Sequence, residues 1–182
     1  MDFLELEGKN IVLRKARVSD YKSIYKHILS DEDIYKWMLI DPLFNEEDAI
    51  ERINEIIEIQ KNTYTYFVAL KATDEAIGIC GINEISKGNY EETGICISKE
   101  YQTKGFGKEL LSLLLDLAFN KLNAKTFTYA HFKDNNKSKI LAMHFGFEYS
   151  HTEEMTRAWD NKKVIVDYCI LTDKKYKEIR EK

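Results

Sequence analysis

The sequence predicts an α+β domain of mixed α/β character: a mostly antiparallel sheet with one parallel strand pair, flanked by helices. Two observations set the sheet. Three strand-like runs follow one another at 64–71, 76–85 and 90–98, joined by short links at Asp74-Glu75 and Lys87-Gly88-Asn89, the pattern of an antiparallel meander. A helical stretch then separates the third run from another at 125–132, and a strand, helix, strand unit implies a parallel pair. A third observation sets the scale. The 182 residues are 44% hydrophobic, with 9 Phe, 11 Tyr and 2 Trp from which to build a core, so a single domain spanning 1–182 is expected.

The elements follow in order. Residues 11–16 (IVLRKA) alternate and predict a strand. Ser19 or Asp20 is placed to cap a helix on which Tyr21, Ile24, Tyr25, Ile28 and Leu29 form an apolar stripe. Residues 31–44, with Asp33, Tyr35, Trp37, Met38 and the sole Pro42, predict an irregular aromatic-rich segment. Asn45 caps the next helix, Glu46, Glu47 and Asp48 lie at its positive end, and Gln60 stands near its close. After the meander, a helix at 105–122 has apolar residues over most of its surface and one narrow polar stripe of Glu109, Ser112, Asp116 and Asn120, as in a helix buried against a sheet. Residues 125–132 predict a strand. A helix at 136–145 starts after Asn135 and stops at Gly146. Strands at 147–153 and 163–171 close the domain.

Composition narrows the function. No window holds the ~18 consecutive apolar residues of a membrane span, and the amino terminus lacks the basic-then-apolar order of a secretory signal. A net charge of −4 argues against non-specific nucleic-acid binding and is compatible with a cationic substrate. Cys80, Cys96 and Cys169 are odd in number and sit in apolar runs, which predicts buried reduced thiols in a cytoplasmic protein. His27, His131, His144 and His151 show no metal-ligand spacing, so no metal is expected.

The chemistry is concentrated between Cys96 and Lys108. A strand ends, a loop with Gly105 and Gly107 follows, and a long helix begins. The first turn of a helix offers backbone N–H groups and the positive end of the dipole, and glycines admit a phosphate closely. A P-loop would need Gly at 102 and Ser or Thr at 109, where the chain has Gln102 and Glu109. A dinucleotide fingerprint would need a third glycine at Leu110. What remains is Gln-x-x-Gly-x-Gly over 102–107, which on its own reads equally as a softened turn before a core helix.

With its flanks, the sequence resembles the GCN5-related N-acetyltransferase (GNAT) superfamily, and within it the branch of ribosomal-protein N-terminal and spermidine acetyltransferases. Gln102 to Gly107 matches that family's pyrophosphate loop. Glu92-Thr93-Gly94-Ile95-Cys96-Ile97 resembles its preceding strand, and Asn135-x-x-Ser138 followed by Gly146-Phe147 matches its Asn-x-x-Ala/Ser … Gly-Phe signature. The resemblance implies a twisted sheet whose parallel pair splays apart, with the pantetheine of acetyl-CoA lying along the first strand of that pair. It implies that the backbones of Ile95, Cys96 and Ile97 hold pantetheine. Amides from Gln102, Thr103, Lys104, Gly105, Phe106, Gly107 and Lys108 would hold the pyrophosphate, with Asn135, Ser138 and Lys139 near the cofactor.

The implied reaction moves an acetyl group to a primary amine by direct attack. A lysine-like amine is about one part in 2500 neutral at pH 7, so a base must take its proton. Glu92 matches the family's glutamate base, with Glu84 and Glu154 as rivals. Many members carry a tyrosine acid four residues before Gly-Phe; this chain has Ala142 there, and Ser138 becomes the candidate acid. Asp33, Tyr35, Trp37, Glu84, Glu154 and Trp159 are expected to meet the substrate, because loops over a cofactor mouth set specificity. The acceptor is a protein N-terminus, a polyamine or another small-molecule amine. Edge strands at the C-terminal end offer a surface for a homodimer. A non-catalytic acyl-CoA-binding sensor or partner-binding module, and a nucleotide-binding α/β protein, are the alternative readings.

Overall fold

The computed structural model describes residues 3–180. Eight strands form one mixed sheet: β1 (Leu6–Glu7), β2 (Ile11–Arg14), β3 (Tyr64–Leu70), β4 (Ala76–Ser86), β5 (Asn89–Ile97), β6 (Thr126–Phe132), β7 (Glu148–Thr156) and β8 (Lys163–Thr172). Their order is β1-β2-β3-β4-β5-β6-β8-β7. The β5–β6 pair is parallel; β1–β2, β2–β3, β3–β4, β6–β8 and β7–β8 are antiparallel. The expected mostly antiparallel sheet with one parallel pair is therefore present. Among the described residues no helix is long and apolar enough to cross a membrane.

The chain divides into two compact units. The first contains the residues up to 82 together with 93–113. Its core joins Ile24, Ile28, Leu29, Ile34, Leu43, Ala49, Ile53, Phe67 and Ala76. The helix α1 (Tyr21–Ile24) is flanked by a 3-10 turn (Val18–Asp20) and a π turn (Tyr25–Leu29). The π turn closes with Ser30 N–H on the Tyr25 carbonyl at 3.0 Å, a widening common at functional sites. Asp20 does not cap α1 through its side chain. Its carboxylate instead takes both terminal nitrogens of buried Arg14 at 2.9 Å and the Arg17 N–H at 2.8 Å. The strand predicted over 11–16 ends at Arg14, where that guanidinium turns inward.

The segment 31–44 is not wholly irregular. Asp31 accepts the Asp33 N–H and starts the one-turn helix α2 (Glu32–Tyr35). The helix α3 (Glu46–Ile59) runs as predicted: Asn45 Oδ1 accepts the Asp48 N–H at 2.8 Å. At its close, buried Gln60 accepts the Ala16 N–H and donates to the Thr65 carbonyl.

The second unit contains 83–92 and the chain from 114 on. Phe127 and Tyr129 of β6 pack on Phe147 at ring distances of 6.0 and 5.5 Å. The helix α5 (Asn136–His144) ends in a Schellman-like turn, with Gly146 at φ 75° and the Phe147 N–H on the Ala142 carbonyl. The helix α6 (Asp173–Arg180) was not predicted; it is mostly charged, and Tyr176, stacked on Phe119 at 4.5 Å, is its one buried residue. The helix predicted at 105–122 is α4 (Phe106–Asp116), continued by a π turn (Leu117–Lys121). The three cysteines are buried free thiols, as expected.

Candidate active site

In the first unit, the segment from Thr93 to Lys108 is shaped by backbone. Gly94 adopts φ 117° inside β5, a conformation glycine alone takes readily, and such a kink re-aims the strand. Gly78 of β4 lies against the Cys96 carbonyl so closely that a β-carbon there would collide with it. Cys96 and Ile97 are buried, and the Cys96 thiol donates to the Ile79 carbonyl at 3.5 Å. Beyond the strand, a 3-10 turn (Lys99–Tyr101) leads to the loop. Thr103 stands at φ 62° and Gly105 at φ 89°. A β-branched residue in the left-handed region is an outlier that the surroundings must hold in place.

Those surroundings are specific. Gln102 Nε2 donates to the Ile97 carbonyl at 3.0 Å, so the motif's glutamine ties the loop back to the strand end. Its own N–H goes to the Lys99 carbonyl at 3.3 Å, which leaves the amides from Thr103 onward as the ones the loop can offer. The first bond of α4 runs from the Glu109 N–H to the Gly105 carbonyl at 3.1 Å. The N–H groups of Phe106, Gly107 and Lys108 precede it and point from the positive end of an eleven-residue helix. Open space surrounds the Gly105 α-carbon, and Lys104 and Lys108 are exposed. This donor set fits a phosphate-bearing ligand.

A buried histidine braces the same loop. His27, in the π turn, is 3% exposed. Its Nδ1 is 3.0 Å from the hydroxyl of Ser98, itself 2% exposed, and its Nε2 is 3.0 Å from a Glu75 oxygen. Tyr101 donates to the other Glu75 oxygen at 3.4 Å and lies edge-on to the imidazole at 5.9 Å. Burial first, then Glu75 and Glu100, push the Tyr101 ionisation up, so its hydroxyl stays protonated. Asp33 pairs with Lys36 and with Lys99. The Lys36 hydrogen bond first, then Lys99, lowers its carboxyl to about 2; an expected substrate contact thus already holds two cations. Tyr35 is half-buried, and Trp37 is exposed with Lys36 over its ring.

In the second unit the polar groups are side chains. The registered pairs of β5 with β6 run from Asn89–Thr126 to Glu91–Thr128. One residue on, Glu92 Oε1 accepts the Ala130 N–H at 3.3 Å. On α5, Asn135 Oδ1 caps the helix by accepting the Ser138 N–H at 3.2 Å, and the Ser138 hydroxyl meets Tyr129 Oη at 2.7 Å. Lys139 is exposed on the same helix. Burial first, then Glu153, Glu91 and Glu92, raise the Tyr168 ionisation, and His151 stacks on that ring at 4.6 Å. The other expected residues have local partners. Glu84 accepts the Gly88 N–H at 2.7 Å and so closes the β4–β5 turn. Glu154 pairs with Lys163 at 2.6 Å. Trp159 lies 4.4 Å from the Arg157 guanidinium.

The profile of the acetyltransferase (GNAT) domain matches residues 10–148. The chain belongs to the GNAT acetyltransferase family. A relative from Bacillus licheniformis, the uncharacterized N-acetyltransferase p20, is 33% identical over 123 residues, covering 65% of this chain and 67% of that one. A GCN5-related N-acetyltransferase from Brucella melitensis superposes with a TM-score of 0.85 at 14% identity, covering 100% of this chain and 84% of that one. RimL, a ribosomal L7/L12 alpha-N-protein acetyltransferase solved in complex with coenzyme A, gives 0.77 at 15% identity, covering 93% and 98%. At these identities the two structures speak to the fold.

In this N-acetyltransferase, sequence reasoning missed His27, Ser98, Glu75 and Tyr129. The spacing of His27 three residues after Ile24 put it on the apolar stripe, a signal that it is buried and needs partners. Nothing local marked which partners they are.

Proposed function

We propose that the acetyl donor is acetyl-CoA and that the acceptor is a primary amine, on a small molecule or at a protein N-terminus. The observation that carries this reading is the loop at 103–108, where positive-φ Thr103 and Gly105 lead into the unbonded first amides of α4. Those amides, with Lys104 and Lys108, would hold the pyrophosphate, and the backbone of Ile95, Cys96 and Ile97 the pantetheine. When bound, acetyl-CoA supplies the thioester. Glu92, whose Oε1 accepts the Ala130 N–H, is the base that takes the amine proton. Ser138 donates a hydrogen bond to the sulfur as the C–S bond breaks. Asn135 holds Ser138 in place by capping α5.

The test is thermal denaturation with acetyl-CoA against NAD and ATP. Ligand at about a hundred times its dissociation constant stabilises by about 2.7 kcal/mol, a rise of about 5–10 °C at this chain length. A rise with acetyl-CoA alone is expected, followed by CoA release when amines are screened. A cooperative melt that acetyl-CoA does not shift would overturn the reading.

A further inference from the structure

Tyr129 is 3% exposed in β6, and its hydroxyl is 2.7 Å from Ser138 Oγ. Two hydroxyls in contact share one hydrogen bond, in which one donates and the other accepts. The phenol is the stronger acid and the aliphatic oxygen the better acceptor, so Tyr129 donates and Ser138 keeps its own proton for a third partner. Burial, the largest influence, pushes the Tyr129 ionisation up; the Ser138 hydrogen bond opposes this and Glu92 adds to it. The phenol therefore remains a neutral donor through the working pH range. Asn135 fixes the Ser138 backbone, and Tyr129, by occupying one acceptor position of Oγ, holds the serine side chain and keeps its proton directed away from the phenol.

Resting on the acetyl-transfer reading above, we propose that Tyr129 is a positioning residue, which by donating to Ser138 Oγ turns the serine O–H toward the sulfur of the departing CoA. The amine nitrogen bonds to the carbonyl carbon, the C–S bond breaks with its electron pair on sulfur, and the amine proton goes to Glu92. Ser138 hydrogen-bonds the thiolate without giving up its proton, and Tyr129 stays neutral. The phenol that the family pattern places at position 142, here Ala142, is supplied from β6 at one hydroxyl's remove.

The experiment compares CoA with desulfo-CoA by calorimetry near pH 9, where a thiol of pKa about 8.5 is largely ionised. The wild-type protein is expected to prefer CoA by about tenfold, the worth of a hydrogen bond to a charged group. Tyr129→Phe cuts that preference by about three- to fivefold and leaves desulfo-CoA binding unchanged. Ser138→Ala removes the preference, and Ser138→Thr, which keeps the hydroxyl, restores it. Site-specific 3-fluorotyrosine at 129, nearly isosteric and more acidic, raises the preference without disturbing the fold. Tyr129→Phe weakening both ligands alike, or leaving the preference intact, overturns the positioning role. Wild-type binding of both ligands without preference overturns the Ser138 contact and this inference with it. Wild-type binding of neither overturns the acetyl-CoA reading itself.

Discussion

The two units present their candidate groups in opposite ways. From Thr93 to Lys108 the presented groups are backbone amides, and side chains hold them: Gln102 on the Ile97 carbonyl, and His27 bridging Ser98 and Glu75. In the second unit the presented groups are side chains: Glu92, held by the Ala130 N–H, and Ser138, held by the Asn135 cap of α5 and by the Tyr129 hydroxyl. The first arrangement suits binding, because amide donors fixed by φ and ψ need no reorganisation to meet an anion. The second suits proton handling, which needs groups that titrate or rotate. Conformational damage is thus expected to weaken affinity in one stretch, and chemical damage to slow turnover in the other.

The largest effect expected from this division is at Glu92. Glu92→Gln retains an oxygen for the Ala130 N–H but cannot take a proton, so kcat falls by about 10²–10⁴-fold while the dissociation constant of acetyl-CoA stays within about twofold. Steady-state CoA release and calorimetry check this, and an unchanged rate removes Glu92 as the base. Next is His27. His27→Ala strands the buried Ser98 hydroxyl, takes a partner from half-exposed Glu75 and costs about 1–3 kcal/mol, a fall in Tm of about 2–12 °C, with kcat at saturation unaltered. Gly105→Ala forces a β-carbon into φ 89°, which costs about 1–2 kcal/mol. It is expected to weaken acetyl-CoA about 5–30-fold with kcat preserved; an equal loss in kcat would erase the contrast between the two stretches.

The smallest effect is at Asp33. Its folded carboxyl titrates at about 2, against about 3.9 in an unfolded chain. Its contribution to stability is complete above about pH 4 and is lost as pH falls through about 2. Carboxyl NMR should place the midpoint there, and Lys99→Ala should move it upward.

Local rules made much of this legible in the sequence. Asn45 and Asn135 cap helices because a short side-chain oxygen reaches an amide three residues on, and Gly146 ends one because it accepts positive φ. The Gln-x-x-Gly-x-Gly stretch was legible as a loop between a strand end and the start of a long helix, and Gln102 braces it through its side chain. The bracing itself was not legible: His27 meets residues 48 and 71 positions away, and no local pattern encodes such distant pairings. Tyr129 read as one more aromatic in a strand, since only the docking of α5 on β6 brings its hydroxyl to Ser138. Asp20 misled for a related reason. Its type and place suit a cap of α1, but its carboxylate turns back to the buried Arg14 guanidinium and the Arg17 N–H instead.

Glu109 carries a consequence for the amino terminus. One residue beyond the last proposed ligand amide of α4, its carboxylate accepts the Asn10 and Ile11 N–H groups, at 2.7 and 3.2 Å, from a turn nearly a hundred residues earlier. Burial alone would raise this carboxyl, yet those hydrogen bonds leave it lowered, so the charge is anchored. A pyrophosphate held by α4 as proposed above would be linked through Glu109 to these two amides. Slowed hydrogen exchange at Asn10 and Ile11 would report occupancy of the loop from a remote strand.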